Sequence, residues 1–424
     1  MWLVKLFFEV KRLDKKLSST IFNQCINSAG NFLSIILIAR ILGIKLLGIY
    51  TICWSLITLL INLQYSLFLI PLLNIVPKLS LDSQKSYINA NRFLNQIFVF
   101  ISSTLFFFLM SIFGKYFGIS EKDISLFFLL SLTTIVLLLF EFSRRLFFSK
   151  RELTKVVYFD ITRYSSQLLL LFYLDITNQS NLYYVFLIML FSPLMSLFIF
   201  KEIQINQPKN LRLVSTLKRN WNMAKWSLPT SLSDWVSRSI FNFITSIIYG
   251  TELVGIIKII QSLFAVLNIP ILGIENWAQV QASSIYNSFG IKALQKFIFK
   301  VTRNMLFLLI IFIPIILINS ENFINIIYQV DVSNYKFSIL IYSILPFITV
   351  LNINLKFYNY AMEKAKLTFF TTFIQLLVVI SVSYPLINKF QLSGVFSSIA
   401  LGQISSAIIY ILYIYFRDIR YNKN

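Results

Sequence analysis

Residues 226–256 read WSLPTSLSDWVSRSIFNFITSIIYGTELVGI, and the interpretation of the whole chain depends on this stretch. If the segment is helical, polar side chains at steps of three or four residues form one face of it. That face consists of Ser227, Ser231, Asp234, Arg238, Asn242 and Thr245. The opposite face is made of Leu, Val, Phe and Ile. A helix with one polar face is common in soluble proteins, so the interpretation of this face depends on whether the chain spans a membrane.

Composition answers that question. The 424 residues are 57% hydrophobic and 13% charged, whereas a soluble domain has about 25% charged residues. Apolar runs long enough to cross a hydrocarbon core of about 30 Å recur along the chain. We expect an all-α polytopic membrane protein with twelve transmembrane helices in two six-helix bundles around a central cavity. The predicted spans are 20–41, 48–72, 93–113, 124–143, 156–174, 182–200, 226–248, 253–274, 302–319, 337–355, 367–387 and 394–416.

The basic residues indicate the topology. When Arg40 and Arg303, which lie at the ends of predicted spans, are counted with the adjacent loops, 29 of the 38 Lys and Arg fall in the terminal and even-numbered loops, six in the opposite loops and three inside spans. Because basic loops stay in the cytoplasm, both termini are expected there, in a bacterial inner membrane. Topology then accounts for the net charge of +21, and no nucleic-acid partner is expected. Without histidine, no catalytic residue, metal site or cofactor is expected. Cys25 and Cys53 fall in spans and are interpreted as packing residues.

An internal repeat predicts the domain organisation. The turn from Gly43 to Gly48-Ile49 matches the turn from Gly250 to Gly255-Ile256, 207 residues later. The same offset aligns Gln24 with Ser231, Asn27 with Asp234 and Asn31 with Arg238, which indicates a parallel duplication. The predicted parts are a cytoplasmic interfacial segment (1–19), an N-terminal bundle (20–200), a basic linker (201–225), a C-terminal bundle (226–416) and a cytoplasmic tail (417–424).

Three motifs carry a family resemblance. They are Ala39-Arg40-Ile41-Leu42-Gly43 with Gly48-Ile49-Tyr50, then Leu228-Pro229, then Gly250 with Gly255-Ile256. In these motifs and in its layout the chain resembles the multidrug/oligosaccharidyl-lipid/polysaccharide exporter superfamily, and within it the polysaccharide transporters that include O-antigen (Wzx-type) flippases. The resemblance implies alternating access by two bundles around a cavity lined by spans one, two, seven and eight. It also implies transport of undecaprenyl-pyrophosphate-linked oligosaccharide for O-antigen, lipopolysaccharide or capsule, with a polymerase and a chain-length regulator as partners.

Arg238 is the leading candidate for substrate binding. It lies about 18 Å along its span, near mid-membrane, and a guanidinium can bind phosphate oxygens bidentately. The alternative is that Arg238 and Asp234, four residues apart, only neutralise each other. Lys258, beside Gln261, is a second phosphate candidate that could instead reach the outer interface. Arg40 is a third candidate, with structural anchoring as the alternative.

Other polar residues have two interpretations as well. Gln24, Asn27 and Asn31 could line the cavity and bind sugar, or could join helices by polar packing. Asp234, Asp160 and Glu141 are candidates for ion coupling, although Asp160 and Arg163 are expected to form a structural pair.

Two other functions stay open. A cation-coupled multidrug exporter needs buried carboxylates, whereas Arg163, Arg238 and Lys258 are cations within spans. A glycan polymerase or ligase needs reactive external groups, and the external loops are short.

Overall fold

The computed structural model describes residues 15–119, 123–202, 213–362 and 364–421, and all regular secondary structure within them is helical. Residues 1–14 of the predicted interfacial segment, 203–212 of the linker and 422–424 of the tail lie outside the described residues. The longer helices are α1 Lys15–Gln64, α2 Ile70–Ile75, α3 Leu81–Phe113, α4 Ile124–Ser149, α5 Leu153–Ile176, α6 Leu182–Ile199, α7 Leu213–Tyr249, α8 Thr251–Ala265, α9 Asn268–Ile318, α10 Ser320–Tyr328, α11 Lys336–Ala361 and α12 Ala365–Tyr421.

By length and composition, seven described segments are apolar enough to cross a membrane. Two of them, Phe22–Ile75 and Lys366–Ile414, have 54 and 49 residues, or about 80 and 74 Å, more than twice a hydrocarbon core. Each contains two predicted spans, separated at Gly43 or Gln391 by a backbone that is not helical. The predicted spans 156–174, 226–248 and 253–274 are not among the seven. The count of twelve therefore stays a prediction.

The described residues divide into two compact units. The first lies within Met1–Leu42 and Cys53–Leu228, and the second within Gly43–Ile52 and Pro229–Asn424. In the first unit α4 packs against α3 and α6, and α5 packs against α6. In the second, α11 packs against α9 and α12. One division falls inside α7, between Leu228 and Pro229, and two others fall inside α1, after Leu42 and after Ile52.

Helices α1 and α5 run parallel in the first unit. Asn27 hydrogen-bonds Asp160, and Ser34 hydrogen-bonds Gln167, each at 2.7 Å and each 133 residues apart. Between these contacts, a Cβ on Gly30 would lie 2.5 Å from the ring of Tyr164. Glycine is needed here because the helices approach closely. A parallel contact agrees with the prediction that both are odd-numbered spans.

The second unit contains a parallel contact of its own. Thr349 on α11 donates to Gln403 on α12 at 3.0 Å, and Ser406 donates to Asn352 at 2.8 Å, again at a constant separation of 54 residues. These pairs belong to the predicted tenth and twelfth spans. At the predicted external ends, the Tyr249 hydroxyl donates to the carbonyl of Asn388 at 2.7 Å. Polar contacts thus join span ends that the predicted topology places on one side.

The two predicted turns have the same backbone and pack against each other within the second unit. Gly43 has φ 66° and ψ 177°, and Gly250 has φ 83° and ψ 175°. This region of φ and ψ is open almost only to glycine. A Cβ on Gly48 would overlap the carbonyl oxygen of Thr251, and a Cβ on Gly255 would overlap that of Ile44. Since 44 and 48 correspond to 251 and 255 at the offset of 207, the contact is reciprocal.

We predict that Gly48→Ala and Gly255→Ala destabilise the protein by similar amounts, about 1–3 kcal/mol each, because each methyl group meets backbone atoms that cannot rotate away. The unfolding free energy in detergent, by denaturant titration, is the measurement. Lys45→Ala is the control, since Lys45 is exposed in the same turn. Loss of stability in only one glycine variant would contradict a reciprocal contact.

Candidate functional site

The polar face of α7 has a charged pair at its centre. Arg238 Nε lies 3.2 Å from Asp234 Oδ2, and the two side chains are 74% and 40% exposed. Arg238 is eleven residues before the end of α7 at Tyr249, or about 16 Å along the helix. The pair forms as the i, i+4 spacing allows, yet most of the guanidinium surface stays accessible. Its remaining N–H groups are available to an anion.

The rest of this face is divided by burial. Asn242 and Thr245 are buried, toward the Tyr249 end. Ser231 is half-buried. Ser227, near the other end, lies 3.4 Å from the carbonyl oxygens of Ser66 and Met223. The accessible part of the predicted stripe is therefore centred on Asp234 and Arg238.

The polar residues of α1 point in different directions. Asn27 donates to Asp160 at 2.7 Å and to the carbonyl of Asn23 at 3.0 Å, so its amide group joins helices. Gln24 is half-buried and lies 3.4 Å from the Ser28 hydroxyl. Asn31 is exposed. Of the three residues predicted to line a cavity, Asn31 has the most accessible side chain.

A buried ionic network joins α1, α4 and α5. The Arg144 Nε lies 2.9 and 2.8 Å from the two carboxylate oxygens of Asp160, which is fully buried. Glu141 lies 3.8 Å from Arg144 and 3.9 Å from Arg163. The expected pairing of Asp160 with Arg163 is wrong: Asp160 pairs with Arg144, and Arg163 pairs with Glu141. The fold causes this exchange because Arg163 turns toward α4, where its guanidinium lies 4.7 Å from the ring of Phe140.

Sequence reasoning missed Arg144. The predicted fourth span ends at residue 143, which places Arg144 and Arg145 in a loop, whereas α4 continues to Ser149. The spacing of Glu141 to Arg144 and Arg145, three and four residues, could have indicated the extra helical turn. Arg145 also lies 5.2 Å from the ring of Tyr65, beside the π-helical turn Tyr65–Leu69.

The remaining cation candidates are in different settings. Lys258 is half-buried at the middle of α8, three residues before the half-buried Gln261. It forms no salt bridge with the acidic residues of the described chain. Arg40 Nη2 lies 3.2 Å from Asp175 Oδ2, and the Arg40 side chain is 35% exposed. Arg40 therefore has an acidic partner at the end of α5, as expected for an anchoring residue.

Solved structures with a similar fold are membrane transporters. An inward-facing multidrug resistance MATE family transporter of the MOP superfamily has a TM-score of 0.75 at 12% identity, covering 95% of this chain and 96% of that chain. Lipid II flippase MurJ, in an inward closed conformation, has a TM-score of 0.72 at 13% identity, covering 93% and 86%. A MATE transporter in an outward-facing conformation has a TM-score of 0.60 at 12% identity, covering 97% of each chain.

No family model and no curated protein sequence matches this chain. At these identities the structural similarity establishes the fold alone. The chain has the all-helical fold of MOP-superfamily transporters, in agreement with the superfamily resemblance of its sequence motifs.

We predict that Asp160→Asn destabilises the protein by about 3–5 kcal/mol, because buried Arg144 loses its hydrogen-bonded counter-ion and keeps only Glu141, 3.8 Å away. The matched control is Asp175→Asn, which breaks the partly exposed pair with Arg40 and should cost less than about 1 kcal/mol. Both values come from unfolding titrations in detergent. A stable Asp160→Asn protein whose transport has lost its ion dependence would instead favour the coupling role.

Proposed function

We propose that this protein is a flippase that moves undecaprenyl-pyrophosphate-linked oligosaccharide, an O-antigen or capsule repeat unit, from the cytoplasmic to the external leaflet by alternating access. The observation that carries the proposal is the accessible guanidinium of Arg238, deep along a helix of a transporter fold. The presence of a lipid II flippase among the proteins of similar fold supports a lipid-linked substrate.

The chemistry of a lipid diphosphate fits this arrangement. Its two phosphates lose hydration when the head group leaves the membrane surface, so cations must replace water along the path. A cation near mid-membrane costs roughly 2.5–3.5 kcal/mol on insertion scales. Asp234 offsets part of this cost while the substrate is absent. We propose that the diphosphate takes over as the partner of Arg238, since a guanidinium binds phosphate oxygens through paired N–H groups.

Further contacts are assigned by charge and accessibility. We propose Lys258 as a second phosphate contact, because it has no acidic partner in the described chain and lies about 10 Å from the start of α8. Arg40 is a weaker candidate because Asp175 already engages it. Asn31, Ser231 and Gln261 have side chains accessible enough to bind sugar hydroxyls. Asn27 is engaged with Asp160, so its role in sugar binding would require that bond to open.

Ion coupling stays a proposal for three carboxylates. Asp160 and Glu141 are held by Arg144 and Arg163, and a proton or cation would have to compete with these arginines. Asp234 is the most accessible of the three. We therefore favour Asp234, whose protonation would also free Arg238 for the substrate.

The proposal also includes the location and the partners of the protein. We propose that it lies in the inner membrane with both termini in the cytoplasm, and that a polymerase and a chain-length regulator are its partners.

We predict that Arg238→Ala lowers the rate of flipping by about ten- to hundredfold, since a hydrogen bond to a charged group contributes roughly 1.5–3 kcal/mol. The measurement is the appearance of a fluorescent polyprenyl-diphosphate oligosaccharide in the outer leaflet of proteoliposomes. Arg238→Lys should keep part of the rate. Lys336→Ala is the control, because it removes an exposed cation that pairs with Glu321 at 2.8 Å.

Two results would overturn this assignment. A normal flipping rate in Arg238→Ala would remove the guanidinium from the mechanism. Export of organic cations by the wild-type protein, with no movement of the lipid-linked oligosaccharide, would favour a multidrug exporter. Covalent turnover of the lipid-linked sugar would instead indicate a polymerase or ligase.

The topology has its own test. Fluorescent reporters that mature only in the cytoplasm, fused after residue 424 and within the linker at 203–212, should both be active. Reporters inserted beside Lys45 and Lys389 should be inactive. An active reporter at either of the last two positions would contradict the predicted alternation of spans.

A further inference from the structure

Four cations line one face of α9 after the break in its backbone at Gly290, where φ is 73° and ψ is −168°. They are Lys292, Lys296, Lys300 and Arg303, here called the basic stripe, and all four are exposed. At 100° per residue they fall within an arc of about 80°, along roughly 16 Å of helix. The sequence has no acidic residue from 276 to 320, so the part of α9 that follows Gly290 carries no counter-charge to the stripe.

The same face of α9 becomes apolar beyond the stripe. Phe307 and Ile310 lie within the same arc and Ile311 lies about 20° beyond it, and they are 62%, 60% and 43% exposed. Large exposed apolar side chains on a membrane-spanning helix contact lipid tails, because a cavity for a polar substrate would require hydrogen-bonding groups. The opposite arc is packed inside the second unit, where Leu294, Val301, Met305 and Leu309 are buried. The stripe therefore continues a lipid-facing surface toward the cytoplasmic membrane interface.

The internal repeat does not account for the stripe. At the offset of 207 residues, its four positions correspond to Lys85, Asn89, Phe93 and Gln96. Three of the four cations thus have no counterpart in the first half of the chain. A cationic face required by the fold alone should occur in both halves.

We infer that the basic stripe binds the headgroups of anionic phospholipids in the cytoplasmic leaflet, while the apolar face beyond it contacts their acyl chains. Charge complementarity favours this occupant, since several clustered Lys and Arg at the cytoplasmic interface attract anionic lipid, each strengthening binding by roughly fivefold. Exposed Phe299, 69% accessible beside Lys300, fits the interfacial level. This inference does not depend on which substrate the protein transports.

The test compares purified protein in nanodiscs of phosphatidylcholine with protein in nanodiscs that also contain phosphatidylglycerol. The wild-type protein should show a higher Tm with phosphatidylglycerol and should retain several molecules of it in native mass spectrometry. The variant Lys292→Gln, Lys296→Gln, Lys300→Gln and Arg303→Gln should lose the difference in Tm and bind phosphatidylglycerol at least about fivefold more weakly. About 0.5 M salt should reduce the wild-type preference because it screens the charges.

A matched control removes the same amount of charge elsewhere. Lys85, Lys218, Lys364 and Lys366 are exposed cations in loops or helix ends of the same predicted side, and changing all four to Gln should leave the lipid preference intact. Equal loss in both variants would show that diffuse positive charge, and not the stripe, attracts the lipid. Equal Tm values for the wild-type protein in both lipids would also overturn the inference. If the fourfold variant does not fold, Lys296→Gln and Lys300→Gln measured singly by lipid binding serve the same purpose.

Discussion

The carboxylate of Asp160 accepts hydrogen bonds from Arg144 on α4 and Asn27 on α1, and no solvent reaches it. Removing any one of these partners would leave a buried charge or amide group without a hydrogen-bond partner, which destabilises the folded protein. These hydrogen bonds fix the positions of α1, α4 and α5 along their axes relative to one another. Helix α1 can run this close to α5 because Gly30, against the ring of Tyr164, has no side chain. The first unit is thus organised around a polar centre rather than by apolar packing alone.

The charged pair on α7 contrasts with that network. Asp160 and Arg144 are closed off, whereas Arg238 is engaged by a single carboxylate and is mostly accessible. The attraction between two charges is stronger when they are enclosed, because little water screens them, and breaking such a pair is costly. A charge that must exchange partners needs access. This difference in accessibility is the physical basis for our proposal that Arg238 takes part in transport while Arg144 supports the structure.

Periodicity and hydropathy predicted the helical class, and each predicted span lies almost entirely within observed helices. The positions of the two reciprocal turns could also be predicted, because both halves of the chain have two glycines at the same spacing, Gly43 and Gly48 in one and Gly250 and Gly255 in the other. The sequence could not predict which arginine meets Asp160, since Arg163 lies one turn away on the same helix while Arg144 and Arg145 lie at the end of the preceding helix. It also could not separate the polar residues of α1, because Asn27 and Asn31 share a helical face while only Asn27 meets α5. Burial of Asn242 and Thr245 depends on tertiary packing in the same way.

In the contact between the two glycine-containing turns, each turn contributes one glycine and one carbonyl group. Gly48 faces Thr251, and Gly255 faces Ile44. Two identical short chains could form the same contact twice across a two-fold axis, since an isologous interface uses one patch on both partners. An ancestral homodimer with half the present length would then already have had this junction. Fusion of its two copies would have freed each half to diverge, which accounts for a polar stripe that is charged in the seventh span and uncharged in the first.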